Sequence, residues 1–363
     1  MTEVINVLQV IGGLNRGGAE TFIMNVTRNI DKEKYKFYFL CYGYNHFDYE
    51  EEAKCLGSKI IKIPRPAKSF DVQTIRTIEK IITDNNIDVV HTHTLYNSMY
   101  AVIAARNKKV KTIITHSHNT VSETNPGLIK KAYFSISKIV INLFSTKKIA
   151  CGIDAGRALY YGKKFQVINN GINIKQFQYS EKKRSRIRKQ YGIKNDEILI
   201  GHVGRFEPVK NHAFIIKIAE ILSHTHIKYK FILIGDGPEK NNIDTSIKDK
   251  QLQDKIILAG KCTNMDEMYS AMDIMVFPSL FEGMPVSMIE AQINGLKILA
   301  SDRIDKRISF SNITFLDISN AKTWASTIQN LDDYKHIPPD KEKIKQYDIK
   351  NVVSELGKIY DHH

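Results

Sequence analysis

At 363 residues, with 42% apolar and 25% charged residues, the chain is too long for one ordinary core and suits two α/β domains. This composition excludes a mostly disordered chain, and no apolar run reaches the length of a membrane-spanning helix. The 53 Lys and Arg exceed the 39 Asp and Glu by 14, and the excess is concentrated before residue 179, where 25 basic face 14 acidic residues; such a basic half suits nucleic acid, an anionic membrane surface or phosphorylated substrates.

In chain order, short apolar runs alternate with helical spacing. The opening MTEVINVLQV lacks a basic stretch followed by a long apolar one, so no secretory signal is expected. Residues 4–11 form a strand ending at Gly12-Gly13, and 19–30 a helix. Strands follow at 36–41 and 58–63, a helix at 72–85, a strand at 88–91 and a helix at 97–106. A strand rich in β-branched residues covers 110–115, and shorter ones 149–151 and 165–168. The pattern breaks over 169–196, where the turn NNGIN precedes a basic run, EKKRSRIRK, that reads as a linker leading into a surface helix. A second series has strands at 198–203, 229–234, 256–258, 274–277 and 297–300, and helices at 213–224 and 347–360. Strands alternating with helices predict an α/β protein of two doubly wound, parallel-sheet, Rossmann-like domains, with ligands at the carboxyl ends of the strands. The four scattered cysteines (Cys41, Cys55, Cys151, Cys262) form no CxxC, which argues against a zinc finger or a disulfide framework and suits a reducing cytoplasm.

Four segments could carry chemistry. The turn GGLNRGGAE, from Gly12 to Glu20, joins a strand to a helix whose free N–H groups could receive an anion. It is neither G-x-G-x-x-G nor a P-loop, since Ala19 and Glu20 stand where Lys and Ser/Thr belong, and a plain tight turn is an equal reading. His91 and His93 end one strand, His116 and His118 another. An H-x-H pair could hold a metal, but no Asp, Glu or Cys completes a ligand set beside either pair, so contact with a polar substrate is expected instead. In GRFEPVKN, Arg205 and Lys210 could converge on a diphosphate, the alternative being a solvated loop. The strongest segment is FPSLFEGMPVSMIEA. Pro285 suits a first helical turn, which puts Glu282 in the loop before a helix and Glu290 inside it. Backbone N–H groups over 283–286 could meet a phosphate, one carboxylate could accept from ribose hydroxyls, and the other could hold a sugar.

Together these residues resemble the retaining glycosyltransferases of family 4, which have the GT-B fold, two Rossmann-like domains facing a cleft. GGLNRGGAE, HTHT, THSHN, NNGIN, GRFEPVKN, GDGPE and AMDIMVFPSLFEGMPVSMIEA occur in the family's order over nearly the whole chain. Within the family the chain is similar to bacterial exopolysaccharide and capsule enzymes. The resemblance implies an acceptor-binding domain over 1–178, a nucleotide-sugar-binding domain over 179–345, and a final helix over 346–363 that crosses back to the first. It implies that Glu290 binds the ribose of a nucleotide-sugar, Glu282 contacts the donor sugar, and Arg205 and Lys210 neutralise the leaving diphosphate beside Gly204. Gly283, Met284, Pro285 and Val286 would line the phosphate and sugar, Gly12, Gly13 and Gly17 would border donor and acceptor, and Gly235 and Gly237 would shape the wall near the base. His116 would sit beside the sugar, with His118 competing because H-S-H permits two alignments. UDP is implied as the nucleotide. No cofactor and no catalytic metal are expected. Asn173 stands where the family more often has Asp, a change read as one of turn structure.

For the acceptor side, Arg16, His118, Lys130 and Lys131 are candidates. No acidic residue lies between Glu123 and Asp154, while Lys130, Lys131, Lys138, Lys147 and Lys148 interleave with apolar residues. That stretch reads equally as an ordinary packed helix or as a basic amphipathic segment. The basic first half favours the second, and with it a polyprenyl-diphosphate-linked saccharide acceptor and peripheral contact with the anionic inner face of the cytoplasmic membrane. Two alternatives stand beside a transferase: a related sugar-nucleotide epimerase, and a nucleic-acid-binding protein supported by charge alone, with no helix-turn-helix or aromatic-basic alternation behind it.

Overall fold

The computed structural model describes residues 4–67, 69–118, 127–282, 284–331 and 333–362. It divides into two units: Met1–Ile172 with Gln346–His363, and Asn173–Lys345. The first boundary therefore falls after Ile172, earlier than the expected 178. Asn173 caps the short helix Ile174–Phe177, its side chain accepting from the Gln176 N–H at 3.3 Å, so the turn already belongs to the second unit.

In the first unit the strands are β1 (Ile5–Ile11), β2 (Tyr35–Tyr42), β3 (Lys59–Ile63), β4 (Val89–Thr92), β5 (Thr112–Ser117), β6 (Lys147–Ala150) and β7 (Gln166–Val167). They pair in parallel in the order β3-β2-β1-β4-β5-β6-β7. Apolar residues run almost without a break along β1 and β2 because helices cover both faces of such a sheet. Gln9, 1% exposed, is the buried polar exception in β1, whose other polar residue, Asn6, is half-buried. Helix Gly18–Asn29 turns Phe22, Ile23, Met24 and Val26 inward. The C-terminal helix Ile349–Tyr360 lays Ile349, Val352, Leu356, Ile359 and Tyr360 into the same core.

In the second unit the strands are β8 (Ile198–Val203), β9 (Tyr229–Ile234), β10 (Ile256–Gly260), β11 (Ile274–Phe277), β12 (Lys297–Ser301) and β13 (Ile313–Leu316), parallel in the order β10-β9-β8-β11-β12-β13. β13 and helix Ala321–Gln329, which buries Trp324, were not foreseen. The basic run forms helix Glu181–Gln190, but it is not a free surface helix. Arg184 and Arg188 both pair with Asp273, at 2.6 and 2.9 Å, and Asp273 also accepts the Leu199 N–H at 2.7 Å. Each sheet reverses its strand order once, between β1 and β4 and between β8 and β11, the positions where doubly wound sheets open for ligands.

Candidate active site

The second unit gathers the expected donor residues at the ends of β8 and β11. β8 runs into Gly204, and the next turn, Pro208–Lys210, closes with Asn211 in a left-handed conformation at φ 58°. Two bonds tie this turn to the segment after β11: Asn211 Nδ2 donates to the Pro278 carbonyl at 3.1 Å, and the Leu280 N–H to the Val209 carbonyl at 2.8 Å. That brings Lys210 to Glu282, Nζ to Oε1 2.5 Å, both largely buried. The Lys210 ammonium also lies 5.0 Å from the centre of the Phe277 ring. Arg205 does not join them. Its side chain is 67% exposed and pairs with Glu207 at 3.0 Å, so convergence of the two cations is not seen. Gly235 and Gly237 pack under this loop: a Cβ on Gly237 would stand 2.5 Å from the Phe206 carbonyl oxygen, which requires glycine there. Gly204 in turn faces Lys210 and His202, with a Cβ there 3.1 Å from Lys210 Cδ.

Helix Val286–Asn294 begins one residue later than Pro285 would set it, with Pro285 as the capping residue. Met284 and Val286 flank it, and Gly283 lies outside the described residues. Glu290 is 8% exposed and accepts a hydrogen bond from the Tyr269 hydroxyl at 2.9 Å. Burial pushes its carboxyl up to about 7, with Tyr269 opposing and nearby Asp266 adding to the rise. A carboxylate held this way is costly when alone and gains from incoming hydroxyl donors. Tyr269 was not singled out from sequence. It sits on helix Met265–Ala271 between Met268 and Ser270, where nothing local marks a tyrosine as a partner for Glu290.

In the first unit, Gly12 is exposed and Gly13 buried beneath Phe47. Gly17 precedes helix Gly18–Asn29, but the Glu20 side chain folds back against it, and burial raises the Glu20 carboxyl above its usual range. The chain's own carboxyl thus occupies that helix start, which weakens its reading as an anion site. Arg16 lies beside Tyr49, 5.3 Å from the ring centre.

Both H-x-H pairs end neighbouring strands. His91 faces Ile114 and Thr92 faces Thr115 in the β4–β5 register, so all four imidazoles share one side of the sheet. His91 and His116 are each 1% exposed, while His118 is half-buried. Phe22 packs against His116 and His118 at 5.0 and 5.5 Å between ring centres. Burial depresses all four; His91 and His118 fall to about 3, so the cluster is neutral at ordinary pH. His116, expected beside the sugar, is closed off by its neighbours; His118 is the least buried of the four, although its Nδ1 is buried and its Nε2 faces His93. Gln9 and Tyr360, which hold this cluster, were not singled out. Gln9 was visible as an amide in a mostly apolar strand, but Tyr360, far along the chain, carried no signal.

Lys130 and Lys131 stand exposed on helix Leu128–Phe144, which buries Tyr133, Ser137 and Ile141. Leu128, Ile129, Ile136, Ile139 and Leu143 remain exposed on it, Leu128 at 85% and Leu143 at 70%. No helix among the described residues is long and apolar enough to cross a membrane.

A family model for Glycosyltransferase Family 4 matches residues 16–176, and one for Glycosyl transferases group 1 matches residues 183–306. The putative glycosyltransferase EpsF of Bacillus subtilis is 32% identical over 98% of this chain and 96% of its own. The chain belongs to glycosyltransferase family 4. This glycosyltransferase is also similar to the capsular polysaccharide biosynthesis glycosyltransferase CapH of Staphylococcus aureus, 28% identical over 98% of this chain and 99% of that one. A UDP-Gal:alpha-D-GlcNAc-diphosphoundecaprenol alpha-1,3-galactosyltransferase of Escherichia coli is 26% identical over 64% of this chain and 62% of its own. Among solved structures, Anabaena HepE in complex with UDP and glucose has a TM-score of 0.80 at 15% identity, covering 98% of each chain, a likeness of fold. Its two parallel sheets are those of a GT-B glycosyltransferase.

Proposed function

We propose that this glycosyltransferase moves a sugar, with retention at the anomeric carbon, from a UDP-sugar to a polyprenyl-diphosphate-linked saccharide in exopolysaccharide or capsular polysaccharide synthesis. The observation that carries the donor half is the pairing of a buried, hydroxyl-seeking Glu290 with the Lys210–Glu282 ion pair at the strand-order reversal of the second unit. Glu290 accepts the ribose hydroxyls. Departure of a nucleoside diphosphate builds negative charge, and a donor diphosphate draws Lys210 away from Glu282. Glu282, released, accepts from the sugar's hydroxyls. Glu282 is not assigned as a nucleophile: the acceptor attacks on the face the nucleoside diphosphate leaves from, which accounts for retention, and the leaving phosphate itself assists deprotonation of the acceptor. Arg205, exposed on the surface, adds its charge by leaving Glu207. Of the two candidate histidines, His118 takes the sugar-facing role because it is the less buried. No metal is assigned to the transfer step.

The acceptor half rests on helix Leu128–Phe144, whose exposed apolar residues beside Lys131 and Lys138 suit the inner face of an anionic membrane, where a polyprenyl acceptor resides. The UDP-sugar and diphosphoundecaprenol named for the Escherichia coli relative support the same pairing of donor and acceptor. The deciding experiment measures nucleotide release from a panel of nucleotide sugars with EDTA present and no acceptor. Slow release from one UDP-sugar, lost in Glu290→Ala, is expected. An epimerase would instead convert the donor to a new sugar nucleotide. Absence of release and of UDP binding by calorimetry would overturn the assignment of Lys210, Glu282 and Glu290.

A further inference from the structure

The sequence alone left each H-x-H pair short of ligands. Folding makes the two pairs complete each other. Gln9 of β1 lies level with His91 of β4, and β4 lies beside β5, so the amide and the imidazoles form one buried group. The nitrogens of this group divide into two sets. The outer set is held by the chain: His91 Nδ1 lies 2.9 Å from the Tyr360 hydroxyl, His93 Nε2 lies 2.9 Å from Gln9 Oε1, and Gln9 Nε2 donates to the Tyr360 hydroxyl at 3.1 Å. In the inner set, His91 Nε2, both nitrogens of His116 and His118 Nδ1 have no partner, while His93 Nδ1 and His118 Nε2 face each other at 2.9 Å. More than nine in ten buried polar groups find a hydrogen bond, so four unpartnered imidazole nitrogens in one cluster need an explanation.

The explanation has to be small. His91, His93 and His116 are 1%, 8% and 1% exposed, which leaves no room for a pyranose ring at their inner edges but admits an ion. The coordinating atoms of these three lie within 4.8 Å of one another. Ligands at about 2.0–2.1 Å from zinc in a tetrahedral array stand about 3.3 Å apart, so modest side-chain rotation closes the set. The outer bonds match what metal-binding imidazoles make: the far nitrogen is fixed by a hydroxyl or a carbonyl oxygen, which sets the ring's orientation. An all-imidazole set without carboxylates selects against Mg2+ and Ca2+ and for later first-row ions.

We propose that His91, His93 and His116 form a binding site for a divalent first-row transition metal of the Zn2+ class, with the fourth position open. The ion ties the end of β4 to that of β5 and takes no part in sugar transfer. Binding is read directly, so its failure is separate from any failure of the donor assignment. Co2+ titrated into the chelator-treated full chain should give the visible ligand-field bands of a tetrahedral site at one ion per chain, reversed by Zn2+. X-ray absorption of the zinc-loaded protein should count at least three imidazoles at about 2.0 Å. His116→Gln should weaken binding at least tenfold, whereas changing the exposed His224 and His226 to Ala should leave it intact. Octahedral bands, fewer than three imidazoles, or binding that follows His224 and His226 would overturn the proposal. The x-ray count needs no variant, so a His116→Gln chain that fails to fold leaves the proposal just as open to refutation.

Discussion

Replacing Glu290 with Gln separates what the residue does for donor binding from what it costs the fold. The folded carboxyl titrates at about 7 and the ordinary one at 4.5, a gap of about 2.5 units, which at about 1.4 kcal/mol per unit is about 3 kcal/mol. Because the folded value is the higher, the folded chain holds a proton over this interval that the unfolded chain has released. Stability of the second unit therefore falls as pH rises from 4.5 towards 7 and levels off above. Glu290→Gln lacks this loss. The variant should match the wild type near the acid end and exceed it by about 3 kcal/mol above about pH 8. Trp324, the chain's single tryptophan, lies fully buried in the second unit's core and reports on that unit alone. Urea unfolding followed by its fluorescence, repeated across the pH range, is the assay. Parallel stability curves for variant and wild type would refute the burial argument. In the same variant, donor affinity should fall roughly tenfold or more, since hydrogen bonds to a charged acceptor are worth about 1.5–3 kcal/mol. Wild-type affinity should rise as pH climbs through about 7, because only the carboxylate accepts from both ribose hydroxyls.

Lys210→Ala leaves Glu282 largely buried without its partner, which should destabilise the second unit by about 3 kcal/mol and lower turnover more than it raises the donor KM; unchanged turnover would remove Lys210 from the mechanism. Asp273→Asn breaks the contacts to Arg184 and Arg188, and a loss of about 3–5 kcal/mol is expected in the same tryptophan-detected unfolding. Ile136→Glu with Leu143→Glu should abolish flotation with vesicles rich in anionic lipid while leaving thermal unfolding within about 0.5 kcal/mol, since both side chains are exposed; retained flotation would take helix Leu128–Phe144 out of the membrane reading.

Most strands were legible because a parallel sheet covered on both faces demands unbroken apolar runs, as in β1 and β9. β13 escaped because its ITFL is half-exposed and short. Helix Glu181–Gln190 misled because charge spacing cannot tell solvated arginines from arginines that share a buried Asp273. Within the site, Glu282, Glu290 and Lys210 stood out through Gly and Pro punctuation. Their partnerships did not, since Lys210–Glu282 and Tyr269–Glu290 join residues that only strand pairing brings together. The convergence of Arg205 with Lys210 was over-read for the same reason: adjacency along a loop does not fix where a long side chain turns.

A polar side chain inside a two-face parallel sheet loses its water, and the chain keeps it only where something compensates. In the first unit such residues gather where the strand order reverses: Gln9 on β1 and His91 and His93 at the end of β4. In the second they gather at the matching position, with His202 on β8, its Nδ1 2.9 Å from the Val276 carbonyl, and buried Ser279 just beyond β11. β5, the neighbour of β4, carries four more, Thr112, Thr115, His116 and Ser117, and β12 carries Ser301. The strands at and beside each reversal thus accept a desolvation cost, and unpartnered atoms there, on His116 of β5 in one unit and on His202 and Ser279 in the other, are ones a ligand would satisfy. Glu290 follows the same logic one layer out. Its helix could carry Gln at lower cost above neutral pH, so retention of a carboxyl that sacrifices about 3 kcal/mol makes sense only if a donor returns that free energy on binding.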